Sequence, residues 1–338
     1  MTSLDCKSSN IGPIRVNISN TGNMNKAFIG DPDCAYWDNE YPIGSDNVYG
    51  KWGIWIGADN KVSEGGPWGT PDIANEFFPS SEPWDTVWVV DRGETVDIPY
   101  WPEYTGVSDQ DFVCRYNDYR ITQGFSLSGA IYEGHSPLYI DVIQVTYTWT
   151  SLELIENQYW VIPKRFGLDL YFGIAGNMNA GDGFVAVGDD YCTFDYENNF
   201  AIIEDLPGGG DDWNYAGPMG FRIVSDIPDD MMNWHYHDSY SEAFFPPTDS
   251  RKFNIMKGPI THDPSQTSLG FAHVYYGVGP FSIGNGDTLH LIVGQIHGQG
   301  FEGLYNNFHS FHSIKEQNYR TPSAPPMPPV RLEPDTEI

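Results

Sequence analysis

The chain has 338 residues, of which 46 are acidic and 17 are Lys or Arg, so its formal net charge is −29. This charge argues against binding to nucleic acid or anionic lipid, and it attracts divalent cations. Hydrophobic residues make up 40% of the chain, enough for a sizeable core, and 36 Gly with 25 Pro predict many short strands joined by tight turns. The sequence has no apolar run of about 18 residues and no basic, apolar leader, so we expect neither a membrane span nor a signal peptide in it.

The first predicted elements precede a strand around which the chain is organised. Residues 1–10 are expected to be a flexible lead-in, 14–20 an edge strand, and 31–40 a carboxylate-rich loop. The sequence KWGIWIGA at 51–58 then predicts a strand, and a hairpin turn at 59–61 follows it. A Gly/Pro/Trp-rich loop at 65–71 comes next.

Successive side chains of the strand at 51–58 point to opposite faces. One face carries Trp52, Ile54 and Ile56, and the other carries Gly53, Trp55 and Gly57. Glycine inside a strand indicates that a ring or another backbone lies close against it. We expect Trp rings of an opposing sheet to pack against these glycines.

Alternating apolar and polar residues predict the remaining strands. They are 84–90, 111–116, 138–149, 159–162, 168–175, 219–224, 269–276 and 288–293. Residues 100–104 predict a proline-broken loop, 176–215 a polar segment with a flexible Gly-rich loop, and 306–317 a short helix.

Many short strands with little helix predict an all-β fold, a large antiparallel β-sandwich of jelly-roll or immunoglobulin type with long acidic loops. Residues 1–320 are expected to form this domain, either as one sandwich or as two packed sub-domains split near 176–215. Residues 321–338 are a Pro-rich linker that leads to a further module or supplies a donor strand.

Six segments in a fixed order carry a resemblance to a known family. They are GKWGIWIGA, EFFPSSEPWD, DQDFVCRYND, HSPLYIDVIQVTYTW, LDLYFGIAGNMNAGDG and GVGPFSIGNGDTLHLIVGQIHG. In this order the chain, from about Asn17 to Val330, resembles the N-terminal region of large uncharacterised secreted proteins of marine and sediment bacteria. Those proteins carry fibronectin-type-III modules and a C-terminal sorting domain. The resemblance implies a β-rich extracellular surface domain, and it supplies no catalytic residues.

Acidic, Gly-rich loops predict bound calcium, because Ca²⁺ takes six to eight oxygen ligands from bent loops. The first candidate ligand set is Asn177, Asn179, Asp182, Asp189, Asp190 and Asp195; the second is Asp31, Asp33, Asp38 and Glu40; a weaker third is Asp205, Asp211 and Asp212. The alternative is a solvated acidic loop, and none of the sets has the EF-hand pattern. Members of the resembling family tend to have Asp-x-Asp where this chain has Asn177 and Asn179, which weakens the first set.

Aromatic residues in predicted loops form the candidate ligand platform. They are Trp68, Trp84, Trp101 and Tyr104. Such rings can stack on sugars, and the alternative is that they pack in the core or at an interface. His235 and His237 share one face of a predicted strand and could bind a transition metal with His262 or Asp263, although such pairs are common on exposed strands.

The four cysteines have no zinc-binding spacing. Among the three possible pairings into two disulfides, Cys6 with Cys34 and Cys114 with Cys192 is the one we predict. The alternative is that they are free, buried thiols.

These features together predict an extracellular or cell-surface structural or adhesive module, stabilised by calcium and able to self-assemble by strand addition. The alternative is a carbohydrate-binding or glycoside-active module that uses exposed aromatic residues and paired carboxylates. The expected partners are a second copy of the chain or surface glycans. No motif of a hydrolase nucleophile, zinc protease or phosphate loop is present.

Removing divalent cations tests the calcium prediction. If Ca²⁺ relieves the repulsion within an acidic loop, the melting temperature should fall in EDTA and return when excess CaCl₂ is added. Thermal melts followed by circular dichroism measure this, with MgCl₂ as the control cation. The same melting temperature in EDTA and in CaCl₂ would count against bound calcium.

Overall fold

The computed structural model describes residues 4–9, 11–24, 39–44, 51–65, 75–80, 82–123, 125–127, 130–165, 167–178, 190–205, 217–224, 227–237, 248–258 and 272–316. The strands in these ranges are β1 (Cys6–Ser9), β2 (Val16–Ser19), β3 (Lys51–Ala58), β4 (Lys61–Glu64), β5 (Trp88–Asp91), β6 (Thr95–Ile98), β7 (Trp101–Thr105), β8 (Gln110–Asn117), β9 (Phe125–Leu127), β10 (Ala130–Tyr132), β11 (Ile140–Thr148), β12 (Leu154–Pro163), β13 (Leu168–Met178), β14 (Asp190–Asp195), β15 (Phe200–Asp205), β16 (Met219–Val224), β17 (Met232–His237), β18 (Ala272–Ile283) and β19 (Leu289–His297). The helices are α1 (Asp249–Lys257) and α2 (Gly300–Glu316).

Two antiparallel sheets pack face to face. The large sheet has eight strands in the order β14-β15-β16-β19-β12-β11-β8-β5, and the small sheet has five in the order β17-β18-β13-β3-β4. The predicted all-β sandwich is therefore confirmed. The large sheet takes strands from both sides of 176–215, so the chain before and after that segment joins one sheet.

Aromatic and aliphatic side chains from both sheets fill the space between them. Trp52 of β3 meets Phe221 of β16 edge to face, with ring centroids 5.2 Å apart, and Tyr159 of β12 meets Phe172 of β13 at 5.3 Å. Trp52, Ile54 and Ile56 all belong to this core, as the alternation predicts. Burying a large apolar side chain contributes about 1.5–3 kcal/mol, so this layer supplies much of the driving force for folding.

The glycines of β3 face away from the large sheet, and our expectation about their neighbours is wrong. They share the face of Trp55, which packs on α1 and on Tyr275 rather than in the space between the sheets. A Cβ added at Gly57 would lie 2.6 Å from Sδ of Met256 and 2.9 Å from Cδ2 of Phe253. Gly57 thus lets α1, not an opposing Trp, approach the strand.

The outer face of the large sheet is covered in two places among the described residues. Helix α2 packs Leu304, Phe308, Phe311 and Ile314 onto one part, and this spacing of three to four residues places them on one side of a helix. The prediction of a helix at 306–317 is confirmed, and the helix begins earlier, at Gly300. The β6–β7 hairpin covers the other part with Ile98 and Tyr104.

Several elements differ from the prediction. Part of the expected lead-in is β1, which pairs with β2, and the expected loop at 100–104 contains most of β7. The polar segment 176–215 contains β14 and β15, whose acidic residues stand at the strand ends. β15 is buried on both faces: Ala201 and Ile203 belong to the core between the sheets, and Phe200 and Ile202 pack in the outer cluster with α2. Helix α1 was not predicted, because it has nine residues and its burial depends on Phe253 and Met256 meeting the small sheet.

The cysteines differ from the predicted pairing. Cys6 is disulfide-bonded, whereas Cys114 and Cys192 are buried thiols outside any disulfide, so the Cys114–Cys192 prediction is wrong. Cys114 is on β8 and Cys192 on β14, six strand spacings apart in the large sheet. At about 4.8 Å per spacing they are roughly 29 Å apart, beyond the reach of a disulfide. Cys34 lies outside the described residues.

Neither helix in the described ranges is long and apolar enough to cross a membrane.

Substituting Gly57 tests the packing of α1 on β3. Gly57→Ala should lower the free energy of unfolding by about 1–3 kcal/mol, the usual cost of overpacking. The matched control is Gly303→Ala in α2, where the nearest atom to the added Cβ is 3.4 Å away. Because alanine favours helix, this control should keep or raise stability by up to about 1 kcal/mol. Equal changes in urea unfolding would contradict the packing.

Candidate functional site

An aromatic strip lies on the outer face of the large sheet, where β7 of the β6–β7 hairpin packs on the sheet. It consists of Trp101, Trp160 and His290, and each is half-buried or exposed. Tyr159 and Val161 point into the core, so alternation along β12 turns Trp160 outward. The strand register sets Trp160 opposite His290 on β19. Two central strands therefore carry Trp160 and His290, and β7 of the hairpin carries Trp101.

The rings of the strip are in contact. Trp160 and His290 stack with centroids 4.5 Å apart and an interplanar angle of 14°. Trp101, on β7, meets Trp160 edge to face at 4.9 Å and 89°. Gln158 lies two residues before Trp160 on β12, and its Oε1 is 3.0 Å from Nε2 of His290. The strip thus combines apolar ring surface with hydrogen-bonding groups.

A tyrosine pair, Tyr119 and Tyr139, lies at the end of the same sheet, where β8 ends and β11 begins. The two rings are 5.9 Å apart and their residues are 40% and 47% exposed. Tyr139 has a φ of 62°, in the left-handed region. A bulky residue seldom adopts this conformation, which costs on the order of 1–3 kcal/mol and persists only where the surrounding structure enforces it.

Asp118 enforces the backbone of Tyr139. Its Oδ2 accepts a hydrogen bond from the backbone N–H of Leu138 at 2.6 Å, and its Oδ1 accepts one from Ile140 at 2.7 Å. Ser63 of β4 donates a third to Oδ2 at 2.7 Å. Asp118 is fully buried, and burial raises the pKa of its carboxyl group although these hydrogen bonds oppose the rise. One carboxylate therefore holds the backbone on both sides of Tyr139.

A buried ionic cluster lies behind Asp118, between β4 and α1. Nζ of Lys252 is 2.7 Å from Oε1 of Glu64, and Nδ1 of His135 is 3.3 Å from Oε2 of Glu76. Asp249, in the first turn of α1, is the third carboxylate near Lys252. All five residues are buried.

Burial and crowding of like charges shift the pKa values in this cluster. Burial raises the pKa of Glu64 to about 7, against the attraction of Lys252. Burial, together with the charge of Glu76, raises the pKa of Asp249 to about 6. Burial alone would lower the pKa of Lys252, but the surrounding carboxylates raise it above its ordinary value. Because these groups are closed to solvent, we assign the cluster to docking of α1 rather than to substrate chemistry.

The four predicted platform residues do not come together. Trp101 belongs to the aromatic strip. Trp84 is 37% exposed, and its backbone carbonyl accepts a hydrogen bond from the indole N–H of Trp88. Tyr104 is only 5% exposed, and its hydroxyl donates to Oδ2 of Asp111 at 2.6 Å. Its ring therefore packs against other side chains of the protein and is not available to stack on a ligand. Trp68 lies outside the described residues.

Most predicted calcium ligands lie outside the described residues. Those outside are Asp31, Asp33, Asp38, Asn179, Asp182, Asp189, Asp211 and Asp212, and for Asn177, Asp190 and Asp205 only the backbone is described. Asp195 caps a turn by accepting from the N–H groups of Glu197 and Asn198, and it accepts from the hydroxyl of Tyr305 at 2.6 Å. Burial would raise the pKa of Asp195, but these hydrogen bonds lower it. Glu40 accepts a hydrogen bond from Arg15 instead.

Within the part of the chain that the structure describes, no group of three or more His, Cys, Asp or Glu side chains is placed to hold a metal ion. His235 and His237 are on β17, as predicted, whereas His262 and Asp263 lie outside the described residues.

Sequence reasoning missed Trp160, His290 and the tyrosine pair. Trp160 stands in a segment where both faces carry large residues, so composition does not tell which face is buried. The available signal was the neighbouring polar residue on the same face, Gln158, because a polar neighbour marks the outward side of a strand. Nothing local indicates that Tyr119 and Tyr139, twenty residues apart in sequence, would meet.

Comparison with known proteins adds little. No family model matches the chain, and no curated protein matches it. Among solved structures, a bacterial glucoamylase in complex with acarbose is similar over 94% of this chain and 37% of its own, at 9% identity and a TM-score of 0.49. The heparan sulfate lyase HepC from Pedobacter heparinus is similar over 58% of this chain and 21% of its own, at 9% identity and a TM-score of 0.27. The chain thus spans less than half of either protein, and these scores are too low to support an argument.

The ionic cluster predicts that stability falls as pH rises through a defined window. The folded-state pKa values of Glu64 and Asp249, about 7 and about 6, lie above the values of about 4 for unfolded chains. Between about pH 4 and pH 7 the folded state therefore binds more protons than the unfolded state, and the free energy of unfolding decreases with pH. Glu64→Gln, which cannot ionise, should make this decrease shallower by on the order of 1 kcal/mol per pH unit.

Urea unfolding at about pH 5, 6 and 7 measures the slope of stability against pH. Glu82→Gln, at an exposed position, is the control for a lost carboxylate and should keep the wild-type slope. If Glu64→Gln also keeps the wild-type slope, Glu64 is not a group that titrates in this window.

Proposed function

We propose that the chain is a non-enzymatic, extracellular adhesive module that binds carbohydrate through the aromatic strip and the tyrosine pair. The observation that supports this most is that Trp101, Trp160 and His290 are in ring contact on the outer face of the large sheet, with the two tryptophans partly buried and His290 exposed. Apolar ring surface that remains accessible to solvent can mark a binding site.

The chemistry of the strip fits sugars. A pyranose ring has an apolar face of C–H groups and an edge of hydroxyl groups, so it pairs with an aromatic ring flanked by polar groups. Trp160 offers ring surface, and next to it the exposed imidazole of His290 is held in place by a hydrogen bond to the buried Gln158. Because all three are on paired strands, their positions are fixed before binding, which lowers the entropy cost of association.

The proposed location rests on cysteine chemistry and on the resemblance noted in the sequence. Cys6 is disulfide-bonded, and disulfides persist mainly in oxidising compartments such as the cell exterior. Calcium binding in the acidic loops belongs to the same proposal and is supported by the net charge of −29.

Self-assembly is a second candidate function. Strand β5 is at the edge of the large sheet, and its Val89 is exposed. Edge strands with exposed apolar residues can pair with a strand of another chain. Light scattering distinguishes the two candidates, since strand addition predicts dimers or larger species whose fraction rises with protein concentration.

Affinity gel electrophoresis in soluble polysaccharides tests the carbohydrate proposal. With xylan, galactomannan, laminarin and dextran in separate gels, we expect retardation of the protein in at least one. Trp160→Ala should reduce that retardation about tenfold or more in affinity, because stacking on an aromatic ring is worth on the order of 1–3 kcal/mol. Tyr196→Ala removes an exposed ring elsewhere and is the matched control.

Thermal melts should show that both variants are folded. Retardation in no gel would contradict the proposal. Retardation that Trp160→Ala leaves unchanged would place binding away from the aromatic strip.

A further inference from the structure

Positive charge gathers around the tyrosine pair, in a chain that is otherwise strongly acidic. Arg115 and Lys164 both contact Oδ2 of Asp141, each at 3.2 Å. Asp141 is buried, and the Lys164 side chain is 44% exposed. Because two cations share one carboxylate, the three residues Arg115, Lys164 and Asp141 together carry one net positive charge.

Two further cations lie at the same end of the sandwich. Arg165 follows Lys164 and approaches Asp59 of the β3–β4 turn at 3.9 Å, and Lys61 donates to Oγ of Ser136 at 2.7 Å. We call Lys61, Arg115, Lys164 and Arg165, with the tyrosine pair, the basic rim. Its four cations lie among three carboxylates, Asp59, Asp141 and the buried Asp118, whereas the whole chain has 46 acidic and 17 basic residues.

The tyrosine pair is anchored in the basic rim. Burial, followed by the neighbouring carboxylate of Asp141, raises the pKa of Tyr119, so its hydroxyl stays protonated beside that carboxylate. The backbone N–H of Lys164 donates to the carbonyl of Tyr139 at 2.9 Å. Each ring is thus tied to the cations beside it, and the distance between rings and charges is set by the sheet.

The conformation of Tyr139 indicates a role other than stability. Five non-glycine residues in the described ranges have a positive φ, and Tyr139 is the aromatic one. Its ring is nearly half exposed, so it gains little by burial, yet a fully buried carboxylate with three hydrogen bonds holds it there. Glycine would adopt this backbone without strain. A strained, exposed aromatic residue enforced by a buried network is typical of binding sites.

We propose that the basic rim is a subsite for a uronic acid residue of the glycan. The sugar ring packs on the tyrosine pair, and its carboxylate pairs with Lys164 and Arg115 through charge-assisted hydrogen bonds. This inference rests on the carbohydrate-binding function proposed above and names the class of sugar. Aromatic rings beside a guanidinium and an ammonium group match the two chemical parts of a uronate, an apolar ring face and a carboxylate.

The ligand is a glycan with isolated acidic sugars rather than a dense polyanion. A net charge of −29 repels a polymer such as nucleic acid over its whole length. At physiological ionic strength the Debye length is about 8 Å, so one carboxylate at the basic rim senses mainly the four nearby cations. A single-stranded DNA oligonucleotide provides the test of the alternative.

Isothermal titration calorimetry with matched oligosaccharides tests the subsite. The probes are xylohexaose and a xylo-oligosaccharide of the same backbone bearing one glucuronate, with dextran and low-substitution carboxymethyl dextran as a second pair. In at least one pair we expect the wild type to bind the carboxylated member about tenfold more tightly, and this ratio should fall as NaCl increases.

Charge variants locate the effect. Lys164→Gln removes the exposed cation that pairs with the uronate carboxylate, so it should bring the ratio of the two affinities close to one. Lys257→Gln, at the end of α1, changes net charge in the same direction away from the basic rim and should keep the wild-type ratio.

Tyr139→Gly separates binding from folding. Because glycine relieves the positive φ, this variant should have an unchanged or higher melting temperature while losing at least about tenfold in affinity for the carboxylated probe. Unchanged affinity for that probe would overturn the proposed subsite.

The outcomes distinguish the two proposals. If the neutral probes bind through Trp160 but the carboxylated probes bind no tighter, the uronate subsite is overturned and the carbohydrate function stands. If the DNA oligonucleotide binds as tightly as the carboxylated probes, the rim recognises polyanions and the inference is overturned. If no carbohydrate binds, both proposals fail.

Discussion

Every central strand of this sandwich has to supply two different surfaces from alternate residues. On β12, Tyr159 and Val161 fill the space between the sheets, while Gln158 and Trp160 face outward. On β3, Trp52 belongs to the core, and Gly57 admits α1 on the other side. A shift of one residue in the register would exchange these faces, so the aromatic core that stabilises the fold also determines which rings are displayed.

Asp118 links the interior to the surface. On one side its backbone carbonyl contacts Nε2 of the buried His135 at 2.8 Å, and on the other its carboxylate holds the backbone around Tyr139. The helix α1 is docked through the neighbouring pair Glu64 and Lys252. A buried charge is expensive unless hydrogen bonds satisfy it, and here the same hydrogen bonds that stabilise Asp118 fix an exposed ring.

The sequence predicts the fold class and most central strands, because their alternation is long and their partners are also strands. It does not predict α1, whose apolar residues are buried only against the small sheet. It does not predict β14 and β15 either, because the acidic residues at their ends make the segment polar in composition. The Cys114–Cys192 prediction was also wrong because it depends on tertiary structure. The local sequence pattern does not determine the order of strands in a sheet. The candidate site was predicted only through Trp101. Trp160 and His290 come together through strand register, which pairs residues more than a hundred positions apart, and the tyrosines meet because β8 pairs with β11.

The central claim is that the outer face of the large sheet binds carbohydrate through ring stacking. Nitrogen–proton NMR spectra resolve the indole groups of the 11 Trp residues one by one, and a titration with the polysaccharide that most retards the protein reports which indoles contact it. The account predicts that the signals of Trp160 and Trp101 shift in proportion to bound ligand, while those of the buried Trp52 and Trp149 stay in place. Shifts confined to other tryptophans, or none at a saturating concentration, would contradict it.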